Sequence, residues 1–245
     1  MNSKLFLLIK GELQRLHKYN VTTISFVVAL IWFLLLYFID DADLLKTMLP
    51  FVIIVDATMM STIFIGAIMF FEKTESTLST MLVTPVKNSD LILSKVIANT
   101  IHSVLSSLLI VIVFYIVKDV SVNFIYILLA LIVSVFFHSL LGFVFSFHSK
   151  DFTSMLVNVM IYAFVFLIPS SLHLFNIIFK GDVWDYLLMI SPTQSAMEMI
   201  QLGFSGEWTL LTVIGLLVLT LGSYFGYRYY VLPKFKEYAV KQSGV

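Results

Sequence analysis

The chain has 245 residues, of which 60% are apolar and only 12% are charged, and its formal net charge is zero. Soluble domains carry roughly 45–50% apolar and about 25% charged residues, so this composition leaves too little polar surface for a water-soluble fold. Balanced charge gives no electrostatic reason to expect a nucleic-acid partner. Because the sequence contains no cysteine, disulfides and thiolate metal sites are excluded. The composition indicates an integral membrane protein.

Six segments are long and apolar enough to cross the hydrocarbon core of a bilayer, which takes about 20 residues of helix. In chain order they are Val21–Ile39, Met48–Phe71, Leu91–Val117, Val122–Phe147, Met155–Leu174 and Thr209–Val231. We therefore predict an all-α polytopic membrane protein in which residues 1–245 form a single transmembrane domain. Residues 1–20 would form an interfacial helix, residues 21–231 the six spans, and residues 232–245 a cytoplasmic tail.

Basic residues favour the cytoplasmic side of a membrane. If the N-terminus is cytoplasmic, the outer segments carry only Lys46, Lys118 and Lys180. The inner segments then carry Lys4, Lys10, Arg15, Lys18, Lys73, Lys87, Lys95, Lys150, Arg228, Lys234, Lys236 and Lys241. We expect both termini to be cytoplasmic. The excess of lysine over arginine is typical of an AT-rich prokaryotic genome, which favours a bacterial plasma membrane.

Residues 4–18 predict an amphipathic helix along the membrane surface. One face of the helical wheel carries Leu5, Phe6, Ile9, Leu13 and Leu16, with Leu7 as an exception. The opposite face carries Lys10, Gln14, Arg15, His17 and Lys18. Such a helix either anchors the first span or also contacts a cytoplasmic partner, and the pattern is compatible with both.

The inner loop between the second and third spans, residues 72–90, is longer than a simple connection requires. Leu78, Met81 and Leu82 follow i, i+3, i+4 spacing, which predicts a short helix with one apolar stripe. Pro85 would end this helix. We expect it to present charge and an apolar ridge to a partner; a solvated loop is the alternative.

The outer connection between the fifth and sixth spans contains a helix signal. Ser191, Pro192 and Gln194 occupy the N-cap, N1 and N3 positions of a capping box. A helix over residues 192–202 follows, with Gly203 as its expected C-terminal cap. This helix is too apolar for open water, so we expect it to insert partly into the outer leaflet or pack on the spans. Pro169 is expected to break or kink the fifth span.

Motifs for soluble catalysis are absent from the sequence. There is no GxxxxGK[ST] string, so any ATP hydrolysis is expected in a separate subunit. There is also no HExxH or GxSxG string, and the five histidines are scattered along the chain. We predict a chain that is not an enzyme and that binds no metal or cofactor itself.

Asp56 is the only acidic residue well inside a predicted span. A charge at mid-bilayer costs about 2.5–3.5 kcal/mol on insertion scales, so this carboxyl must face protein or water. We place Asp56 on a candidate translocation path together with Asn99 and His102 of the third span. Hydrogen bonding between helices is the alternative role for all three.

The inner loop resembles a known family. Phe71-Glu72-Lys73, Thr77-Leu78 and Thr84-Pro85-Val86, followed by Lys95, resemble the string between spans two and three in permease subunits of type 2 ATP-binding-cassette (ABC-2) exporters. Six spans, an N-terminal surface helix and an outer Ser191-Pro192 helix are similar too, so the resemblance covers essentially the whole chain. Two departures are Ser76, where glycine is usual, and Ser79, where an acidic residue is common.

The resemblance implies that the inner loop is a coupling helix that docks on a nucleotide-binding subunit. The candidate coupling residues are Glu72, Lys73, Glu75, Leu78, Met81, Leu82 and Pro85. Two permease chains, identical or different, would assemble in membrane lipid with two P-loop ATPase subunits that bind ATP and Mg²⁺. The expected cargo is small and amphipathic: a peptide toxin, drug or antibiotic. The alternative functions are an ion- or proton-coupled secondary transporter or channel, with Asp56 as the coupling carboxylate, and a purely structural or regulatory subunit.

Overall fold

The computed structural model of the protein describes residues 3–240. The ends of the predicted surface helix and tail, including Lys241, lie outside the described residues. The helices are α1 Ser3–Lys18, α2 Val21–Tyr37, α3 Ala42–Thr74, α4 Thr77–Leu82, α5 Asn88–Val117, α6 Phe124–Phe147, α7 Phe152–Leu174, α8 Asp182–Leu187 with a 3₁₀ turn Leu188–Ile190, α9 Pro192–Ser205 and α10 Leu210–Tyr238. Residues 3–240 contain no β-strand. The predicted all-α fold class is confirmed.

Within residues 3–240, the five helices α3, α5, α6, α7 and α10 are each long and apolar enough to cross a membrane. A sixth crossing is provided by α2, which forms with α1 a helix pair bent by 63°. The 17 residues of α2 span about 26 Å at 1.5 Å per residue, close to the thickness of a bilayer core. The end of the bundle that carries α1, α4 and the last turns of α10 is called the inner end below, and the opposite end the outer end.

Two helices extend beyond the predicted spans by six residues or more. Helix α3 starts at Ala42 rather than Met48, because the Asp41 side chain accepts hydrogen bonds from the backbone N–H groups of Asp43 and Leu44 and caps the helix early. Helix α10 continues past Val231, since Phe235 is fully buried in the core at the inner end. Part of the predicted tail is therefore a helical extension of the last span.

Three of the long helices contain π-helical turns. These lie at Val55–Met60 in α3, Ala163–Leu167 in α7 and Gly226–Val231 in α10. Pro169 lies two residues after the end of the turn in α7, and the helix continues to Leu174. A proline removes one backbone donor, and the wider turn before it absorbs the disturbance without breaking the span.

Helix α9 packs at the outer end among α3, α6 and α10. Its buried apolar side chains are Ala196, Met197, Met199, Ile200 and Leu202. Ser191 accepts from the backbone N–H of Gln194 at 3.4 Å, as the capping pattern predicts. The prediction of Gly203 as the C-cap was wrong: the helix runs to Ser205 and is capped by Gly206, whose φ of 73° is left-handed. Gly203 lies inside the helix, where a Cβ would come within 2.4 Å of Ile127 Cδ1.

Helix α1 packs against α5 at the inner end. Ile9 and Leu16 are buried there with Ile68 and Ala98, which confirms much of the predicted apolar face. Phe6 departs from the prediction, because more than half of its surface is exposed. The packing of α1 on α5 also buries the charged residue Glu12 of α1.

Candidate functional site

Four charged side chains from three helices meet inside the protein at the inner end. We call Glu12 and Arg15 of α1, Glu72 of α3 and Lys95 of α5 the inner ion cluster. Lys95 Nζ donates to Glu12 Oε1 at 2.8 Å and also pairs with Glu72. Arg15 Nη1 donates to Glu12 Oε1 at 3.1 Å and likewise pairs with Glu72. Two acids and two bases thus balance in formal charge.

Burial makes the inner ion cluster energetically sensitive. Glu72 is 0% exposed and Lys95 1%, and Glu12 is also buried. A charge out of water is tolerated only when it is paired, and removing one partner of a buried pair typically costs about 3–5 kcal/mol. Separating α1, α3 and α5 at this point would expose these charges to solvent or leave them buried without a partner. The cluster therefore holds the inner ends of the three helices together.

A second set of contacts ties the α1–α2 junction to the residue that follows α3. Tyr19 Oη donates to Glu75 Oε2 at 2.9 Å, and Lys18 Nζ lies 3.6 Å from Glu75 Oε1. The Tyr19 ring packs on Phe71 with centroids 4.8 Å apart. Burial, together with the hydrogen bond to Glu75, raises the pKa of Tyr19 to about 12. Tyr19 therefore stays a hydrogen-bond donor at physiological pH.

The short helix α4 is joined to α3 by a sharp turn at Ser76, whose φ is 56°. This left-handed conformation explains why glycine suits the position. The apolar stripe of α4 exists as predicted, but it faces the protein. Leu78 is 2% exposed, and Met81 and Leu82 are partly buried against the same core, which includes Phe235. This placement corrects the expectation that the stripe forms an outward ridge.

The exposed surface around α4 consists of other residues. Val83, directly after the helix, is 84% exposed. Its exposed neighbours are Glu75, Thr80, Thr84, Pro85 and Lys87. We call these six residues the α4 surface. Two predicted coupling residues, Glu75 and Pro85, belong to it, whereas Glu72 is in the inner ion cluster and Lys73 points away, toward the backbone oxygen of Lys150 at 3.5 Å.

The three residues predicted for a translocation path make separate contacts. Asp56 is buried in the π-helical turn of α3 and accepts from Ser107 Oγ at 3.0 Å. Asn99 Nδ2 donates to Ser139 Oγ at 2.8 Å and to a backbone oxygen of α3. His102 is half-buried and lines a groove between α2 and α5. Their assignment to a path remains a prediction.

Sequence reasoning missed Glu12 and the pairing of Arg15 and Lys95 with Glu72. A signal was present in α1, because Glu12 falls on the apolar face between Ile9 and Leu16. An acidic residue on such a face indicates a buried partner. That partner, Lys95, lies 83 residues further along the chain, where local patterns carry no information.

The fold and the site define a class: a multi-pass helical membrane protein with a short helix at its inner end. A family model described as ABC-2 type transporter matches residues 3–204, which contain the inner ion cluster, the α4 surface and all but the last residue of α9. The chain belongs to the ABC-2 type transporter family and is a membrane permease of that kind. A search of curated proteins found no match. Permeases of this family associate in general with ATPase subunits.

Proposed function

We propose that the chain is the membrane-spanning permease of an ATP-driven exporter, built from two permease chains and two separate ATPase subunits that bind ATP and Mg²⁺. The observation that carries the proposal is the inner ion cluster, which joins α1, α3 and α5 beside α4. Family membership supports it independently. If a partner pushes on α4, the spans can move with it only if they are mechanically coupled to it. The inner ion cluster provides such a coupling.

The α4 surface is the proposed contact for the ATPase subunit. Leu78 would transmit movement of α4 into the inner core, where it packs with residues of α5 and α10. Glu72, three residues before Glu75, would transmit it into α1 and α5 through Arg15 and Lys95. Because separating buried ion pairs is unfavourable, the inner ends of these helices would move as one unit. Cargo would then pass between the two permeases.

The proposed orientation has the inner end and both termini in the cytoplasm of a bacterial cell. Supporting this, the basic residues of the sequence concentrate in the inner segments. Among the described residues, the outer connections are short helices and turns, of which α8 and α9 are the largest. An outer face of this size favours small amphipathic cargo, such as a peptide toxin, drug or antibiotic.

The test uses cells that lack the chain, exposed to a panel of amphipathic peptides and antibiotics. We expect increased sensitivity to at least one compound, with resistance restored by the wild-type chain and by Lys180→Gln, a control at an exposed position of the outer connection. Lys95→Met, which breaks the inner ion cluster, should not restore resistance. Unchanged sensitivity across the panel, with unchanged secretion of peptides, would contradict the export proposal.

A further inference from the structure

A second charged region lies at the inner end, away from the inner ion cluster. Lys73 at the end of α3, Lys150 in the α6–α7 connection and Lys234 near the end of α10 line a cavity of about 430 Å³, together with His148. Glu237 also lines it and has an interaction of its own. The described lining therefore contains three ammonium groups and one carboxylate.

Two of the three lysine side chains are held by neutral groups. Lys73 Nζ donates to the backbone oxygen of Lys150 at 3.5 Å. Lys234 Nζ donates to Tyr230 Oη at 2.9 Å, and this oxygen lies 2.8 Å from His148 Nε2. The salt bridges found within residues 3–240 do not involve any of the three lysines. Their positive charge therefore remains available to a bound anion.

The carboxyl group next to Lys150 is already engaged. Asp151 Oδ1 accepts from the backbone N–H of Ser154 at 2.7 Å and caps α7. This backbone hydrogen bond, with that of the Ser154 hydroxyl, lowers the pKa of the exposed Asp151 side chain. Asp151 remains charged at neutral pH but is directed at the helix start.

An apolar groove lies beside this cavity, between α6 and α7. Its volume is about 370 Å³, and it is lined by Val144, Phe145, Ile161, Tyr162, Val165 and Phe166. His148 lines both the cavity and the groove. Asn158 of the groove donates to Ser149 of the cavity at 2.9 Å. The basic cavity at the inner end and the apolar groove therefore adjoin at His148.

We propose that this composite groove binds one anionic phospholipid of the inner leaflet. The phosphate lies among Lys73, Lys150 and Lys234, and an acyl chain lies along α6 and α7 past Ile161. Basic pockets between transmembrane helices recognise anionic headgroups by this arrangement. A soluble anion would leave the apolar groove unfilled. A zwitterionic lipid, which carries no net charge, would be attracted less strongly by the three lysine side chains. The inference goes beyond the proposed transport function and does not depend on it.

The test is native mass spectrometry of the full chain in detergent, titrated with phosphatidylglycerol, phosphatidylcholine or inorganic phosphate. We expect phosphatidylglycerol to bind at least about tenfold more tightly than phosphatidylcholine, given the attraction of each nearby lysine for an anionic headgroup. The triple variant Lys73→Gln/Lys150→Gln/Lys234→Gln should lose this preference. The control Lys4→Gln/Lys10→Gln/Lys87→Gln removes three exposed lysines outside the cavity and should keep it. Ile161→Trp should weaken binding of both lipids.

Equal binding of the two lipids to the wild type, or an unchanged preference in the triple variant, would overturn the proposal. Inorganic phosphate that competes as well as phosphatidylglycerol would identify a free-anion site and overturn it as well. If the triple variant aggregates, a phosphatidylglycerol with a photoreactive acyl chain decides the matter in the wild type. Cross-links to α6 and α7 support the site, and cross-links confined to other helices refute it.

Discussion

At the scale of single residues, Lys95 is the position on which the inner end depends most, because it contacts both Glu12 and Glu72 away from water. The change Lys95→Met leaves the two buried carboxylates with only the partly exposed guanidinium of Arg15 as a counter-charge. We expect a loss of about 3–5 kcal/mol of stability, seen as a lower unfolding midpoint of the purified protein in detergent. Lys87→Met, at an exposed position, should change the midpoint little. Equal midpoints for the two variants would refute the structural role given to the inner ion cluster.

A substitution at Asp56 distinguishes an ATP-driven exporter from the alternative, an ion- or proton-coupled transporter. Its carboxylate accepts from Ser107, and an asparagine side-chain oxygen can accept the same hydrogen bond. We expect Asp56→Asn to leave association with ATPase subunits intact and to reduce export less than Lys95→Met does. Export is measured by drug or peptide resistance of complemented cells. Complete loss of transport in Asp56→Asn, with full activity in Lys95→Met, would favour a proton- or ion-coupled transporter.

At the scale of elements, α3 and α6 approach closely at Gly142. A Cβ there would lie 2.7 Å from the backbone oxygen of Thr62 and 2.8 Å from Ile65 Cβ. Thr62 Oγ1 also donates to the backbone oxygen of His138 at 3.0 Å, which joins the same two helices. Small residues at such contacts allow membrane helices to pack tightly.

The change Gly142→Ala tests this contact. Because the backbone at Thr62 cannot move aside easily, we expect a loss of about 1–3 kcal/mol from overpacking. Gly11→Ala is the matched control, since Gly11 is helical and has no atom within 4 Å of an added Cβ. In a helix, this control should be neutral or stabilising by up to about 1 kcal/mol. The prediction is checked by measuring the thermal unfolding midpoints of the two variants side by side. A midpoint for Gly142→Ala at or above that of Gly11→Ala would refute the close contact.

Elements with a strong local signal were predictable, and contacts between elements were not. The apolar runs placed the spans, and Ser191 with Pro192 placed the start of α9. Gly203 was misassigned because a helical glycine that allows close packing on Ile127 looks, in sequence, like a C-cap. The stripe of α4 was recognised correctly, but the periodicity of Leu78 cannot tell whether its face meets a partner or the chain's own Phe235.

At the scale of the whole molecule, the orientation in the membrane can be read directly, because the chain contains no cysteine. Single cysteines at Lys87→Cys and Val183→Cys lie at exposed positions of the inner and outer ends. We expect a membrane-impermeant maleimide to label Val183→Cys in intact cells and Lys87→Cys only after lysis. The reverse pattern would contradict cytoplasmic termini and place the α4 surface where no ATPase can reach it.

Family membership was also predictable. The motif in the inner loop and the order of the six spans both resemble the family, and the family model matches residues 3–204. The inner ion cluster was not, since Glu12 and Lys95 are 83 residues apart and meet only when α1 packs on α5. The resemblance pointed to Glu72 as a coupling residue. The structure adds that its side chain is held by Arg15 and Lys95 within the protein, so we expect it to act through the spans rather than by touching the partner.

The proposed association with an ATPase is tested most directly by purifying the tagged chain from its native membrane in mild detergent and identifying its bound proteins by mass spectrometry. We predict a stoichiometric P-loop ATPase subunit that is retained by the wild type and by Val183→Glu, an exposed change at the outer end. Val83→Glu, on the exposed α4 surface, should release that subunit without lowering the unfolding midpoint of the permease. A chain that purifies without an ATPase, and that dissipates an ion gradient in liposomes lacking ATP, would contradict its assignment as the permease of an ATP-driven exporter.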